Sequence, residues 1–565
     1  MKRNLFFYFS CLVLISCSTS FAQDPNPSPF SQFPSEERPA LPEFLPESPE
    51  KGLELPPVPE GKTRQPGRFS FELKGIDLEG NTVFSDENLT EVAESFIGKQ
   101  VTLADLEEIR YRITRRYVDA GYVNSGAVLK PDQRVENGRV TYLVIEGRLD
   151  EISITGAGRL RSGYVRDRLR PDPERPFNTQ ELQERFQLLL QDPLIDRMNG
   201  SIRPGMEPGE AMLDLEVTRS RPYALRLIAD NHRPPSTGAE RITAAGSVWN
   251  LTGFGDRLDA SFGISEGADE WAAAFTIPLN AMDTRLSLRY LKSDSSVIEE
   301  PLDDVDIESE TETGEIQLMH PILRNLRRSF EVGATLAVRE SKTWLLDEPF
   351  SFTEGAENGK SQVTALRLIG SFVDRTSETA LALRSTFNFG LDLFGATQHG
   401  GDRPDGQFFS WLGQAQYARR ISPRLGQLIF RGDIQIAEDE LLTLERIAVG
   451  GVHTVRGYRE NELVRDSGYI LSLEWRYPLF RQLTGGGHEH LLQIAPFMDF
   501  GAAWNKGESI HEDCLHSVGV GLLWSFSPWA NAELYWGHDL ESASDPEDYD
   551  LQDDGIHFLV SIDLF

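Results

Sequence analysis

From residue 221 to the C-terminus, apolar and polar residues alternate in short segments separated by polar or glycine-containing turns. Successive side chains of a strand point to opposite faces, so this alternation predicts strands with one apolar face. Even numbers of such strands, each about ten residues long, are typical of transmembrane antiparallel β-barrels. We therefore predict a barrel of about 16 strands over residues 221–565. The candidate strands are 222–232, 241–249, 256–265, 270–278, 284–293, 313–321, 328–340, 362–373, 379–391, 408–418, 426–436, 469–479, 491–500, 514–525, 530–537 and 556–565.

Two of these segments alternate most clearly. In 491–501, one face is apolar, and the opposite face carries the carboxylate of Asp499 together with Gly501. In 469–479, aromatic residues share the apolar face, as expected at a membrane interface, and Glu474 lies on the other. The period of two therefore predicts that Asp499 and Glu474 face the barrel lumen.

Upstream, residues 69–148 and 149–220 each predict an α+β domain with the order strand, helix, helix, strand, strand. Thr102 and Asp105 resemble a capping box in front of apolar residues at helical spacing. In the second domain, Asn178 and Thr179 provide the corresponding cap. The patterning alone leaves open whether these domains bind anything.

The N-terminal residues carry a targeting signal. Residues 1–22 combine Lys2 and Arg3 with an apolar core, which predicts a secretory signal peptide cleaved near Ala22. Lipidation at Cys17 is the alternative. Residues 23–68 are proline-rich and predict an extended linker. It is either a solvated spacer or a tether that crosses the barrel or its mouth.

Three polar insertions interrupt the strand pattern. Residues 294–314, which include an acidic run, and 392–407 are predicted as long external loops. The third insertion, 437–468, contains the glycine-rich stretch Gly450–Glu460, in which Arg456 stands between Val455 and Gly457. Loops of this length in compact domains are usually functional or disordered.

Composition excludes some classes of function. The formal net charge of −32 argues against nucleic acid as a partner, because its binding relies on lysine and arginine at phosphates. No nucleotide-binding P-loop is present, and we predict no enzymatic activity, no cofactor and no metal site. Phe565 ends the chain, as is typical of outer-membrane barrels, but it falls in register with the polar face of the last strand.

The whole chain resembles the outer-membrane transporters of two-partner secretion, the TpsB type or ShlB/FhaC/HecB family of the POTRA–β-barrel superfamily. Its most specific motifs are Val455-Arg456-Gly457-Tyr458, Asp499-x-Gly501, Gly253-Phe254-Gly255-Asp256 and Glu474-Trp475-Arg476-Tyr477-Pro478. The resemblance implies that the two α+β domains are POTRA (polypeptide-transport-associated) domains.

It further implies that the long loop folds back into the barrel, where Arg456 pairs with Asp499. Gly457, Tyr458 and Gly501 belong to the same latch, and Glu474 is the alternative partner that the strand pattern offers. An exposed ion pair of little value is the competing interpretation of Arg456. The family's resting barrel is often plugged by an N-terminal helix, but residues 23–50 have too many prolines for a convincing one.

The resemblance implies a pore in the outer membrane, with periplasmic POTRA domains that bind an unfolded, TpsA-like exoprotein. The expected partners are this exoprotein and outer-membrane lipid, and the transporter is expected to act as a monomer. The alternative function is an assembly factor for other barrels, of the BamA or TamA kind. A barrel hydrolase or a passive porin is a third interpretation.

Overall fold

The computed structural model describes residues 39–46, 52–54, 70–400, 403–483, 489–508, 513–541 and 549–564. These residues form two compact units, one of 52–54 with 70–221 and one of 39–46 with 222–564. The predicted signal peptide, most of the predicted linker and Phe565 lie outside the described residues. Within the described ranges, no helix combines the length and apolar composition needed to cross a bilayer.

The first unit consists of two α+β modules. Its helices are α1 (Asp86–Thr90), α2 (Leu103–Asp119), α3 (Ser162–Leu169) and α4 (Thr179–Leu190), with a 3₁₀ helix at Glu91–Phe96. Its strands are β1 (Leu53–Glu54), β2 (Ser70–Glu72), β3 (Gly75–Glu79), β4 (Gln100–Thr102), β5 (Gly126–Leu129), β6 (Arg139–Ile145), β7 (Arg148–Thr155), β8 (Ile195–Pro204) and β9 (Glu210–Arg219).

Local sequence signals account for the helices of both modules. The Thr102 hydroxyl accepts a hydrogen bond from the N–H of Asp105, and the Asp105 carboxylate accepts one from the N–H of Thr102 at 2.7 Å, so the predicted capping box is present. Asn178 caps α4 through the N–H of Gln180. The apolar faces of α2 and α4 are buried, as helical periodicity predicts.

The sheet of the second module carries an additional strand at its edge. Its strand order is β1-β8-β9-β7, and β1 runs parallel to β8, with Leu53 opposite Gly200 and Glu54 opposite Ser201. The N–H of Gly200 also donates to the carbonyl oxygen of Gly52 at 2.7 Å. Three residues of the predicted linker thus cover the edge of β8.

The second unit is a closed antiparallel barrel, which confirms the predicted fold class. Sixteen strands of eight residues or more form the wall, and the first of them, Tyr223–Asp230, closes it by pairing with the last, Ile556–Asp563. Three short strands, β17, β22 and β23, lie in the connections. The strands are β10 (Tyr223–Asp230), β11 (Arg241–Trp249), β12 (Arg257–Ile264), β13 (Ala268–Pro278), β14 (Arg285–Ser296), β15 (Ile307–Arg324), β16 (Arg328–Leu345), β17 (Glu348–Pro349), β18 (Lys360–Arg375), β19 (Thr379–Gly390), β20 (Phe409–Ser422), β21 (Gly426–Ala437), β22 (Ile447–Val449), β23 (Leu463–Arg465), β24 (Ser467–Leu483), β25 (Glu489–Trp504), β26 (Asp513–Ser527), β27 (Ala530–Asp539) and β28 (Ile556–Asp563).

The prediction of a long loop over residues 294–314 is wrong. β14 continues to Ser296 and β15 begins at Ile307, so the connection is only 297–306. The acidic residue Glu310 lies in β15, where it contacts Lys292 at 2.6 Å and Lys342 at 2.9 Å. These ion pairs join neighbouring strands. The polar residues that we predicted as a loop therefore form a charged extension of the barrel wall.

Residues 39–46 lie against the inner wall of the barrel. Phe44 and Leu41 pack on the lumen-facing residues Ala380, Ala418 and Ile429. Backbone contacts add to this packing, because the N–H of Leu45 donates to the carbonyl oxygen of Thr376 at 3.0 Å. Of the two interpretations of the linker, these eight residues match the tether inside the barrel, and they contain no helix.

Candidate functional site

The connection between β21 and β24, residues 438–466, folds into the lumen. It begins with a 3₁₀ turn at Thr443–Glu445, and β22 then pairs with β23 to form a hairpin whose tip is residues 450–462. Val455 and Tyr458, at the tip, pack in one apolar cluster with residues of the barrel wall such as Ile470 and Leu515. Apolar burial therefore holds the loop inside the barrel alongside its charged contacts.

Arg456 lies at the centre of the docked tip and contacts two wall strands. Its Nε donates to Asp499 Oδ2 at 2.8 Å and its Nη2 donates to Asp499 Oδ1 at 2.9 Å, which is the bidentate arrangement that guanidinium groups form with carboxylates. Nη1 donates to Glu474, and Nη2 also reaches Ser472 Oγ at 3.0 Å. Asp499 and Glu474 are therefore not alternatives, because Arg456 binds both.

Glu474 is shared between two arginines. Glu474 also accepts a hydrogen bond from Arg476 Nε at 2.6 Å, so two arginines face two carboxylates. Arg456 is 2% exposed, Asp499 0% and Glu474 1%, which excludes the interpretation of an exposed ion pair. Burial alone would lower the pKa of Arg456, but Glu474 and Asp499 raise it above the ordinary arginine value, so this side chain stays charged.

Two aromatic rings complete the environment of the guanidinium. Its Cζ lies 3.6 Å from the ring centre of Phe497 and 4.9 Å from that of Tyr535. A cation above an aromatic face gains electrostatic attraction, more so where water is excluded. Phe497 shares the lumen face of β25 with Asp499, so the strand periodicity predicts that it lies near the guanidinium. Tyr535 lies on β27, and no pattern in the sequence predicted its contact with Arg456.

The tip approaches the wall so closely that two contacts require glycine. Gly457 has φ of +95°, and a Cβ on Gly537 of β27 would lie 2.7 Å from the Gly457 nitrogen. A Cβ on Gly501 would lie 2.5 Å from Val449 and 2.7 Å from Val455, which explains the glycine of the Asp499-x-Gly501 motif. Gly537 is a residue that sequence reasoning missed.

The outer side of the tip joins two other external loops. The Tyr458 hydroxyl lies 2.9 Å from the carbonyl oxygen of His516 on β26. Arg459 contacts Glu299 of the β14–β15 loop at 2.5 Å and Asp553 of the β27–β28 loop at 2.5 Å. Loop 438–466 is thus fixed to the wall by Arg456 and to its neighbours by Arg459.

One stretch has the spacing of an enzyme motif, although we predict no enzymatic activity. Gly263-Ile264-Ser265-Glu266-Gly267 has the G-x-S-x-G spacing of a nucleophile elbow, which in hydrolases connects a strand to a helix. Here it connects strands β12 and β13, and Ser265 Oγ donates to the carbonyl oxygen of Thr237 at 2.9 Å. This serine therefore joins the β12–β13 turn to the β10–β11 connection. Among the described residues, no three His, Cys, Asp or Glu side chains are placed to hold a metal ion.

Comparison with known proteins gives two family matches. The profile of the haemolysin secretion/activation protein family ShlB/FhaC/HecB matches residues 209–523, and that of the ShlB-type POTRA domain matches residues 71–147. The heme/hemopexin transporter protein HuxB of Haemophilus influenzae is 22% identical over 497 residues, covering 80% of this chain and 81% of HuxB.

Solved structures show the same fold. CdiB from Escherichia coli aligns with a TM-score of 0.67 at 20% identity, over 90% of this chain and 93% of CdiB. BamA from Haemophilus ducreyi, lacking POTRA domains 1–3, aligns with a TM-score of 0.52 at 12% identity, over 87% of this chain and 100% of that structure. At 20% and 12% identity, these alignments show the fold alone.

Proposed function

The chain belongs to the ShlB/FhaC/HecB family of outer-membrane transporters, and we propose that it binds an unfolded exoprotein through its POTRA domains and secretes it across the outer membrane. The observation that carries this proposal is the loop docked in the lumen through Arg456, Asp499 and Glu474. A pore that must stay closed between secretion events needs such an internal and releasable obstruction.

The mechanism that we propose is a two-state loop. In the docked state, Arg456 holds the tip on β24 and β25, and Arg459 joins it to the external loops. An exoprotein entering the lumen would replace these contacts, and its folding outside the cell would supply the energy of transport. Transitions of this kind depend on an element with two discrete packed arrangements.

The second POTRA-like module offers a binding edge that the chain itself covers. A strand added to a sheet edge is held by main-chain hydrogen bonds and therefore tolerates many sequences. β1 occupies the edge of β8 through only two residue pairs, so an incoming exoprotein strand would have to displace it. We propose that the edge of β8 binds the exoprotein and that β1 competes with it.

The double variant Leu53→Pro/Glu54→Pro tests this competition. Proline cannot donate a ladder hydrogen bond, so β1 should leave the edge and a labelled, unfolded exoprotein fragment should bind the full-length protein roughly tenfold more tightly. Fluorescence anisotropy in detergent measures the affinity. Leu53→Ala/Glu54→Ala is the matched control, because it keeps the backbone donors. Equal affinities for all three proteins would contradict a role for β1.

Deletion of the chain tests the function itself. We expect the corresponding exoprotein to disappear from the medium while the amounts of other outer-membrane proteins remain normal. Immunoblots of medium and outer membrane provide both readouts. Normal secretion without this chain would refute the proposal. Loss of many outer-membrane proteins would instead favour the assembly-factor alternative, with which the BamA-like fold is compatible.

The relatives bear on the kind of exoprotein that this chain handles. HuxB is named for heme and hemopexin, and the chain covers most of its length. We propose only the shared chemistry, an unfolded polypeptide presenting strand-forming segments. A large secreted, repetitive protein encoded beside this chain would be the natural candidate to use as the labelled fragment.

A further inference from the structure

The base of loop 438–466 has an ionic contact of its own, distant in the sheet from Arg456. Glu445 accepts hydrogen bonds from Arg339 of β16 at 3.2 Å and from Arg367 of β18 at 2.8 Å. Arg339 also donates to the carbonyl oxygen of Leu444. All three charged side chains are almost fully buried, with Glu445 3% exposed.

Backbone and apolar contacts reinforce this base. Gln435 Nε2 of β21 donates to the carbonyl oxygens of Glu445 at 3.0 Å and Asp466 at 3.1 Å, so one wall side chain joins the start and the end of the loop. Leu441 and Leu442 pack against Val363 and other residues of the wall. The base is therefore attached to the wall by polar and apolar contacts of its own.

The two attachments lie on different parts of the wall. Arg456 contacts β24 and β25, whereas Glu445 contacts β16 and β18, and the three strands β19, β20 and β21 separate β18 from β24. Among the described residues, Arg456 and Glu445 share no ionic partner. Burial alone would raise the pKa of Glu445, but Arg367 and Arg339 hold it below the ordinary value, so the carboxylate is charged.

We propose that Glu445 is a second, independent anchor that fixes the base of the loop to β16 and β18 as a hinge. The tip can then leave Asp499 and Glu474 while the base remains in place, and the lumen opens on the side of β24 and β25. Glu445 is a positioning residue in this scheme. The role of the hinge in opening the lumen rests on the proposed secretion function, whereas the attachment of the base to the wall does not require an exoprotein.

Local mobility distinguishes the two anchors without any exoprotein. Nitroxide labels would be placed singly at exposed Thr443, in the base, and at exposed His453, in the tip, with Cys514 replaced by serine. We expect Glu445→Gln to free the base of the loop, and therefore to narrow the electron paramagnetic resonance spectrum of the label at Thr443. We expect Arg456→Ala to narrow that of the His453 label and to leave the Thr443 label immobile. Glu438→Gln, an exposed acid of the same loop, is the matched control and should change neither.

Two results would overturn the inference. One is an unchanged Thr443 label in Glu445→Gln, and the other is equal mobilisation of that label by Arg456→Ala. If Glu445→Gln does not assemble, Glu445→Asp keeps the charge but is one methylene too short to reach both arginines. The label at Thr443 should also become more mobile in the Glu445→Asp variant, and an unchanged spectrum would contradict the role of Glu445 as an anchor. A secretion defect plays no part in this test, so failure of the proposed function would be recognised separately.

Discussion

Replacing Arg456 with alanine is expected to leave the barrel assembled but to reduce exoprotein secretion to about a tenth of the wild-type level or less. This effect is expected because the variant loses one partner of a buried ion pair. The guanidinium makes hydrogen bonds to Asp499, Glu474 and Ser472, and its removal deprives two buried carboxylates of a cation that both now contact. Losing one partner of a buried pair typically costs about 3–5 kcal/mol, which shifts an equilibrium by roughly two to four orders of magnitude. The docked state would then be scarcely populated, and the loop would lose one of the two packed arrangements on which the proposed transport mechanism depends.

Two measurements check this result. Exoprotein in the medium reports secretion, and the altered gel mobility of an unheated barrel reports assembly. Arg424→Ala, an exposed arginine of the turn between β20 and β21, is the matched control and should secrete normally. Normal secretion by an assembled Arg456→Ala protein would remove the docked tip from the mechanism.

A reciprocal exchange of the two charges is not expected to restore secretion. With Arg456→Asp and Asp499→Arg together, the new aspartate would face Glu474, which now contacts the guanidinium. Two carboxylates in direct contact within a buried site repel each other and destabilise the charged state. The environment of Arg456 also includes Glu474 and Arg476, so a two-residue exchange does not reproduce it.

Replacing Gly537 with alanine is expected to have an effect of similar size although it removes no charge. The added Cβ would lie 2.7 Å from the nitrogen of Gly457 and 2.8 Å from the carbonyl carbon of Arg456, both backbone atoms that cannot rotate away. The tip must therefore move outward, which breaks the close fit of Arg456 to Asp499. Packed interfaces do not absorb such overlaps without a shift.

Gly370→Ala is the control for this variant. Gly370 also lies in a barrel strand, but an added Cβ would meet no atom within 4 Å. Comparing secretion, assembly and single-channel conductance of the two proteins separates a clash at the tip from a general effect of losing a glycine. Normal secretion by Gly537→Ala would mean that the tip is not closely docked during function.

Much of the barrel was predictable because strand periodicity is local. Alternation alone placed Asp499 and Glu474 on the lumen face, where both contact Arg456. The acidic run near Glu310 was wrongly predicted as a loop, because a strand that continues beyond the apolar band is polar on both faces and resembles a loop in sequence. Glu445, Tyr535 and Gly537 could not be found, since their partners are distant in sequence and meet only when the loop enters the barrel.

The covered edge of β8 also affects which exoproteins can bind. Because β1 is tethered to its own sheet, it competes at an effective concentration on the order of millimolar, far above that of any free chain in the periplasm. A single short segment at about a micromolar concentration would need roughly a thousandfold greater affinity to replace it. A long chain with many similar segments has another segment beside the edge whenever one dissociates. The tethered strand therefore favours long, repetitive chains through multivalency, without recognising any particular sequence.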